Sequence, residues 1–306
     1  MGRYIARRLL LFIPTMLAAL TLVFVIFRLV PGDPARLMAG DAATEESIAQ
    51  LRQEMGLNDS ILSQYVRYLD DLLHGDLGRS RVYQQSVIDP IMDRLPNTLI
   101  LAAAAMSIAL LIGVAIGVLS ALRAHTWVDH LSMLTAVAGV SLPGFWLGLM
   151  LVMLFSVQLG WLPVAGYSTK WGIVLPAITL AANQMAVLAR MTRSTMIGVM
   201  HQDYIRTARS KGLPQRTVVT AHGLRNAMIP TLTVAGVQLG YLLGGSLVVE
   251  TVFAWPGLGR LLMDSIQQRD YPMIQAIVLV YALLMLTVNL IVDVLFAVVD
   301  PRVSYG

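Results

Sequence analysis

The chain contains no cysteine, and only 13% of its 306 residues are charged. The absence of cysteine excludes disulfides, thiolate metal sites and cysteine catalysis. Soluble domains usually carry about 25% charged residues, and 57% of this chain is hydrophobic. The composition therefore indicates an integral membrane protein that contacts lipid over much of its surface.

The sequence also lacks the usual signatures of catalysis. It has no Gly-rich phosphate loop ending in Lys-Ser or Lys-Thr, no His-Glu-x-x-His and no nucleophile elbow. Its five histidines show no metal-ligand spacing. Ionisable residues within membrane spans mark ion relays in secondary carriers, and here Arg28, Glu250 and Asp293 lie only near span ends. We therefore predict no catalytic or metal site and no bound cofactor, and expect another subunit to supply any energy for uphill transport.

Six apolar stretches are long enough to cross a membrane, since a helix needs roughly 20 apolar residues to span the hydrocarbon core. Backbone polar groups in lipid have to be satisfied within each segment, so we predict an all-α polytopic fold with about six transmembrane helices. The third stretch exceeds one span and is expected to include a re-entering loop at Gly160–Gly166. The first is too long for a typical cleaved signal and is interpreted as an uncleaved anchor. The stretches are Leu9–Val30, Leu95–Leu122, Leu131–Thr169, Trp171–Ala189, Asn226–Val249 and Tyr271–Val292.

The basic residues near the span ends favour one orientation. With six spans, the segments richest in arginine and lysine all lie on one side, whereas residues 31–97, on the opposite side, carry eleven acidic and six basic residues. Cytoplasmic loops carry the excess of positive charge, so both termini are predicted to be cytoplasmic, in a cell inner membrane. The basic residues on this side are Arg3, Arg7, Arg8, Arg123, Arg190, Arg193, Arg206, Arg209, Lys211, Arg216, Arg225 and Arg302.

The external segment, residues 31–97, is predicted to form a small helical unit between residues 1–30 and the core transmembrane region, residues 98–306. Thr44 is suited to cap a helix that runs to Met55 and ends at Gly56. Asn58 or Asp59 is suited to cap a second, amphipathic helix that Gly75 and Gly78 interrupt. The unit is either a cap packed on the spans or a docking surface for an external partner.

Small residues recur at four-residue spacing in two spans. Gly113 and Gly117 lie in the second span, and Gly236, Gly240 and Gly244 lie in the fifth. Glycines at this spacing allow helix backbones to approach closely. The pattern favours tight packing within the bundle over a contact between subunits.

The longest cytoplasmic excursion, near residues 201–228, is strongly basic. It begins with a short helical pattern closed by Gly212, and Pro214 follows. Charge alone is typical of an ordinary basic loop on the cytoplasmic side of a membrane. The order of its residues is more specific.

This loop resembles the "EAA" loop of ABC importer permeases, whose pattern is Glu-Ala-Ala, three residues, Gly, nine residues, then Ile-x-Leu-Pro. Arg206-Thr207-Ala208 fills the first triplet, Gly212 stands at the expected distance, and His222-Gly223-Leu224-Arg225 fills the final places. Arg206, His222 and Arg225 depart from the general pattern. The same departures are typical of this loop in the dipeptide/oligopeptide/nickel branch. The resemblance therefore places the chain in that branch.

Further motifs extend the resemblance over nearly the whole chain, with the B-type subunit as the best match. Each is weak alone, but their order is specific. They are Pro31-Gly32-Asp33-Pro34, Gly75-Asp76-Leu77-Gly78, Ser141-Leu142-Pro143, Leu159-Gly160-Trp161-Leu162-Pro163, Ala189-Arg190-Met191-Thr192-Arg193, Trp255-Pro256-Gly257-Leu258-Gly259-Arg260, Arg269-Asp270-Tyr271-Pro272, Asn289-Leu290-Ile291-Val292-Asp293 and Asp300-Pro301-Arg302.

The resemblance implies a permease that forms a path for peptides or a related small solute. Its expected partners are a second homologous permease, two P-loop ATPases that bind ATP and Mg²⁺, and an external substrate-binding protein. No nucleic-acid partner is expected. The short helix of the loop would couple the permease to the ATPases. The expected coupling residues are Asp203, Tyr204, Arg206, Thr207, Ala208, Arg209, Lys211, Gly212 and Leu213.

Gln238, Ser246 and Glu250, in or beside the fifth span, are candidates for lining the path. Gln238 could equally bond a neighbouring helix. The cargo stays open between dipeptides, oligopeptides, glutathione and nickel complexes. The main alternative is an ion-coupled secondary carrier that works without an ATPase; a membrane enzyme and a scaffold or receptor subunit are further alternatives.

Overall fold

The computed structural model describes residues 2–29, 33–39, 43–166 and 169–299. The motif residues 31–32 and 300–302, including Arg302, lie outside this part of the chain. The described residues are almost entirely helical, as the all-α prediction requires. The helices are α1 (Gly2–Leu29), α2 (Pro34–Ala39), α3 (Glu45–Glu54), α4 (Ile61–Leu73), α5 (Ile88–Leu122), α6 (Trp127–Ser141), α7 (Gly144–Leu151), α8 (Val174–Met200), α9 (Asp203–Ser210), α10 (Gln215–Thr217), α11 (Arg225–Val252), α12 (Leu258–Gln267) and α13 (Tyr271–Val299).

Five of the six predicted spans appear as single helices. In the described residues, five helices are long and apolar enough to cross a membrane. The third predicted span is instead two shorter helices: α6, and α7 with its π-helical continuation Val152–Gln158. The break falls at Leu142, which is extended (φ −85°, ψ 129°) before Pro143. Proline lacks a backbone N–H and disfavours helical backbone in the residue before it, so a straight helix cannot continue there.

The long helices connect two ends of the bundle: α1 and α11 run in one direction, and α5, α8 and α13 run in the other. At one end, Arg8 Nη1 lies 2.8 Å from Asp293 Oδ2, which joins the start of α1 to α13. At the other end, the Tyr271 hydroxyl donates a hydrogen bond to the carbonyl of Phe27. Helix α9 lies at the first end and α2–α4 lie at the second. We call these the loop end and the cap end.

Helices α5 and α8 form the closest pair in the bundle. A Cβ added to Gly117 would lie 2.6 Å from the Ala189 carbonyl oxygen, and one added to Gly113 would lie 2.9 Å from the Met185 carbonyl oxygen. Real side chains do not approach this closely, so α5 requires glycine at both positions. The small-residue pattern of the second span therefore serves packing within the bundle, as predicted.

The glycines of α11 are packed less closely against neighbouring helices than those of α5. An added Cβ at Gly240 would meet Asn289 Oδ1 at 3.5 Å, an ordinary contact, and Gly244 faces open space.

The cap end matches the predicted pair of helices with one change. Thr44 caps α3, and its hydroxyl accepts a hydrogen bond from the Ser47 amide (3.3 Å). The cap of α4 is Ser60, whose hydroxyl accepts from the Ser63 amide (3.2 Å), and not Asn58 or Asp59. The prediction was wrong here because several adjacent residues are good caps, and only packing decides which one begins the helix.

Candidate functional site

Helix α9 is short and amphipathic, and it is anchored to the loop end of the bundle. Ile205 is fully buried and Ala208 nearly so, and both pack with Val218 and the half-buried Met200. Residues three apart lie on one face of a helix, so these two side chains define how α9 sits. The helix therefore has a fixed inner face and a free outer one.

The outer face carries most of the predicted coupling residues. Asp203 and Arg206 form an ion pair of 3.6 Å, with side chains that are 97% and 78% exposed. Such an exposed pair adds little stability. Ala208 is the exception among the predicted residues, because its side chain packs inward and anchors α9. The exposed coupling residues are Asp203, Tyr204, Arg206, Thr207, Arg209, Lys211, Gly212 and Leu213.

The end of α9 is closed by a Schellman motif. Gly212 has a φ of +76°, its amide donates to the Arg209 carbonyl (2.9 Å), and the Leu213 amide donates to the Ala208 carbonyl (3.4 Å). Glycine adopts this left-handed backbone without a Cβ penalty. The helix therefore ends sharply, as the sequence predicted, and the chain leaves it in a defined direction.

The second half of the loop packs on the same support. Residues Val218–Leu224 form a π-helical turn that leads directly into α11. Gly223 is buried, and a Cβ there would lie 3.1 Å from Met200 Sδ. Val219 and Ala227 pack with Met196 of α8. Both halves of the loop thus contact α8, so α9, α8 and the start of α11 are mechanically connected.

An ion pair fixes α8, the helix that supports α9, to the α5–α6 turn. The carboxylate of Asp129, near the start of α6, accepts hydrogen bonds from the Arg193 guanidinium of α8, the Ser120 hydroxyl and the His125 amide. The Arg193 guanidinium, with help from Ser120 and His125, holds the pKa of this carboxyl well below its usual range. Asp129 therefore stays ionised at neutral pH and fixes the α5–α6 turn to α8.

A cavity of about 650 Å³ opens between α6, α7, α8 and α11. Its polar lining includes Asn183, Gln184 and Gln238, and Gln238 Nε2 donates a hydrogen bond to Gln184 Oε1 across the two helices. Gln238 thus bonds a neighbouring helix, one of the two alternatives that the sequence left open, and it also faces the cavity; its place on the path stays a prediction. Neutral amides offer donors and acceptors without a fixed charge.

Ser246 and Glu250 do not line this cavity, and their assignment to the path stays a prediction. Both have no exposed surface, and Glu250 Oε2 accepts hydrogen bonds from the amides of Gly259 (2.6 Å) and Arg260 (3.3 Å). Residues three, four and seven apart share a helix face. Ser246 and Glu250 share the face that packs inside the chain, whereas the face of Gln238 opens on the cavity.

The sequence interpretation missed Gln184 and Asp129. Gln184 lies within an apolar span, where a buried amide is itself a signal. Asp129 is the only acidic residue between Asp93 and Asp203, and its isolation among basic neighbours could have indicated an ion pair.

The comparisons with known proteins agree with these features. Residues 113–305 match the family described as "Binding-protein-dependent transport system inner membrane component", and residues 1–102 match its N-terminal family. The chain is 48% identical over 305 residues to the glutathione transport system permease protein GsiC of Salmonella paratyphi A, and 47% identical to GsiC of Escherichia coli K12. Each alignment covers 100% of both chains.

Two solved structures share the fold. A methionine ABC transporter, MetNI, in inward-facing form aligns with a TM-score of 0.61 and 18% identity, covering 70% of this chain and 97% of the other. An amino acid ABC transporter aligns with a TM-score of 0.54 and 20% identity, covering 71% and 95%. The chain belongs to the family of binding-protein-dependent transport system inner membrane components, and it is a non-catalytic transmembrane permease subunit of an ABC importer.

Proposed function

We propose that α9 is the coupling helix through which separate ATPase subunits drive this permease. The observation that carries the proposal is the construction of α9. Its inner face is anchored by Ile205 and Ala208, its end is closed at Gly212, and its outer face is exposed. A helix held in this way transmits rigid-body motion to α8 and α11, whereas a flexible loop would absorb it.

The charge of α9 supports a partner with an acidic groove. Arg206, Arg209 and Lys211 are exposed on the helix or directly after it. Complementary charges of this kind fix register and partner choice more than affinity. The proposed assembly contains this chain, a second homologous permease, two P-loop ATPases that bind ATP and Mg²⁺, and an external substrate-binding protein.

The charge distribution supports a cytoplasmic loop end. Arg8, Arg123 and Arg193 lie at this end together with the basic residues of the coupling loop. Positive charge is concentrated on the cytoplasmic side of membrane proteins. Both termini would then be cytoplasmic, and α2–α4 would face the exterior.

We infer that the cargo is a small peptide, with glutathione as the first candidate. The inference rests on the glutathione transport permeases that share 47–48% identity over the full chain. The amides of Gln184 and Gln238 on the cavity suit a peptide, because they can pair with backbone N–H and C=O groups without binding a fixed charge.

The coupling role is tested by Gly212→Val in the complete transporter, reconstituted in proteoliposomes with glutathione supplied on its binding protein. Valine at a φ of +76° costs about 1–2 kcal/mol, enough to reduce the docking-competent population about tenfold. We expect ATP hydrolysis to continue while glutathione uptake falls. The matched control is Gly198→Val, at an exposed helical glycine with open space around it, which should leave uptake intact.

Normal uptake by Gly212→Val would overturn the coupling role. Uptake without ATP would overturn the importer mechanism in favour of a secondary carrier. Stimulated uptake of another peptide but not of glutathione would overturn only the cargo.

A further inference from the structure

Helix α4 presents an apolar strip that nothing in the described chain covers. Leu62, Val66 and Leu73 lie on one side of this helix and are 72%, 59% and 86% exposed. They recur at i, i+4 and i+11, which places them on one helical face. The polar residues Arg67 and Asp71 are exposed on the opposite side. The helix therefore has a protein-facing, an apolar and a polar side.

The protein-facing side of α4 is attached to the membrane-spanning part of α1. The Tyr65 hydroxyl hydrogen-bonds the Thr21 hydroxyl at 2.6 Å. The rings of Tyr65 and Tyr68 lie 5.2 and 5.5 Å from the ring of Phe24. These contacts set the depth of α4 relative to the bilayer.

That depth lies in the cap-side half of the hydrocarbon core. The apolar part of α1 is 24 residues long, about 36 Å, against about 30 Å of hydrocarbon. With α1 centred on the core, Thr21 lies roughly 10 Å inside the boundary on the cap side. Phe24 lies about 5 Å inside it by the same reckoning. The tyrosine side chains of α4 therefore contact α1 about 5–10 Å below the boundary.

The part of α1 beyond its contacts with α4 also has an exposed apolar surface. Val25 and Leu29 follow Thr21 by one and two helical turns and are exposed on this span. Helices that lie in a membrane interface bury an apolar face about 5–10 Å deep and keep their charged face in water. The three sides of α4 fit this arrangement.

We propose that α4 is an interfacial membrane helix whose strip Leu62–Val66–Leu73 is covered by the acyl chains of the cap-side leaflet. Lipid then fixes the height of the cap on the bundle, and only the polar side of α4 is open to soluble partners. The proposal rests on α1 spanning the membrane and not on the cargo or the coupling role.

Because the chain contains no cysteine, a single introduced cysteine is its only site for a thiol-reactive spin label. Leu62→Cys and Val66→Cys, with Asp71→Cys as the water-facing control, are spin-labelled in the complete transporter in lipid nanodiscs. All three side chains are exposed, so the substitutions remove little packing. We expect the labels at 62 and 66 to collide several-fold more often with oxygen, which concentrates in lipid, than with a water-soluble nickel chelate. The order should be reversed at 71.

Two results would overturn the proposal. Preferential collision with the nickel chelate at 62 and 66 in the assembled transporter would place the strip in water. Water accessibility that disappears only when the binding protein is added would identify a protein as the occupant. Size-exclusion chromatography and glutathione uptake of each labelled variant establish that the assembly is intact.

Discussion

Arg193 and Asp129, 64 residues apart in the chain, meet in a two-point ion pair. Arg193 Nε lies 2.6 Å from Asp129 Oδ1, and Nη2 lies 2.6 Å from Oδ2. Asp129 is 2% exposed and Arg193 is 26% exposed. The pair closes the α5–α6 turn against α8, on the helix that leads into α9 ten residues later, so it stabilises the element on which α9 rests.

Removing one partner should destabilise the loop end. Asp129→Ala leaves the Arg193 guanidinium without its carboxylate, and breaking a buried pair costs about 3 kcal/mol. We expect a lower thermal unfolding midpoint in detergent. The exposed control Asp71→Ala should change the free energy of unfolding by less than about 0.5 kcal/mol. Equal effects of the two variants would contradict the assigned role of the pair.

The same pair predicts a pH dependence. The pKa of Asp129 is lower in the folded chain than its unfolded value of about 3.9. The unfolded state therefore binds the proton more readily, and the stabilisation is complete above the unfolded pKa and declines as the pH falls. Between pH 5 and pH 3 the advantage of the natural chain over Asp129→Asn should shrink by about 1 kcal/mol. Chemical unfolding at both pH values measures it; an advantage that grows with acid would refute the prediction.

Gly117 should tolerate no side chain. A Cβ there would meet the Ala189 carbonyl oxygen and the Thr192 Cβ, both at 2.6 Å, and overpacking of this kind costs about 1–3 kcal/mol. We expect Gly117→Ala to lower the unfolding midpoint. Gly198→Ala, in open space on a helix, should raise it slightly because alanine favours helix by up to about 1 kcal/mol. If Gly117→Ala does not lower the unfolding midpoint relative to Gly198→Ala, the close contact of α5 with α8 is contradicted.

Glu250 should be needed to hold the corner between α11 and α12. Glu250→Ala removes the acceptor for the amides of Gly259 and Arg260, and each unsatisfied buried donor costs about 1–3 kcal/mol. Glu250→Gln retains one acceptor oxygen and should recover part of this loss. Thermal unfolding of both variants in detergent is the measurement. Equal stability of the two would show that the hydrogen bonds do not matter.

The amide pair on the cavity should affect cargo and not coupling. Gln184→Leu combined with Gln238→Leu removes the polar groups that face the cavity. We expect slower glutathione uptake at an unchanged rate of ATP hydrolysis in proteoliposomes. Val237→Leu, at an exposed position of α11, is the control. Unchanged uptake by the double variant would exclude the pair from the path.

Several features of the fold followed from local sequence. The apolar stretches predicted the long helices because a helix satisfies its own backbone groups in lipid, whatever surrounds it. Gly212 predicted the end of α9 because a left-handed residue is a local requirement. The third span is not one helix, because Pro143 interrupts the apolar run and hydropathy alone does not register a break in the backbone.

The sequence by itself determined that this is a helical membrane protein with a basic loop that contains a short helix closed by Gly212, because hydropathy, charge and turn chemistry act over a few residues. Only the tertiary structure decided which face of each helix is covered. It turned Ser246 and Glu250 into the interior and Gln238 to the cavity, and it joined Asp129 to Arg193. In an almost wholly apolar span the buried and lipid-facing sides have nearly the same composition, so burial there depends on how neighbouring helices pack.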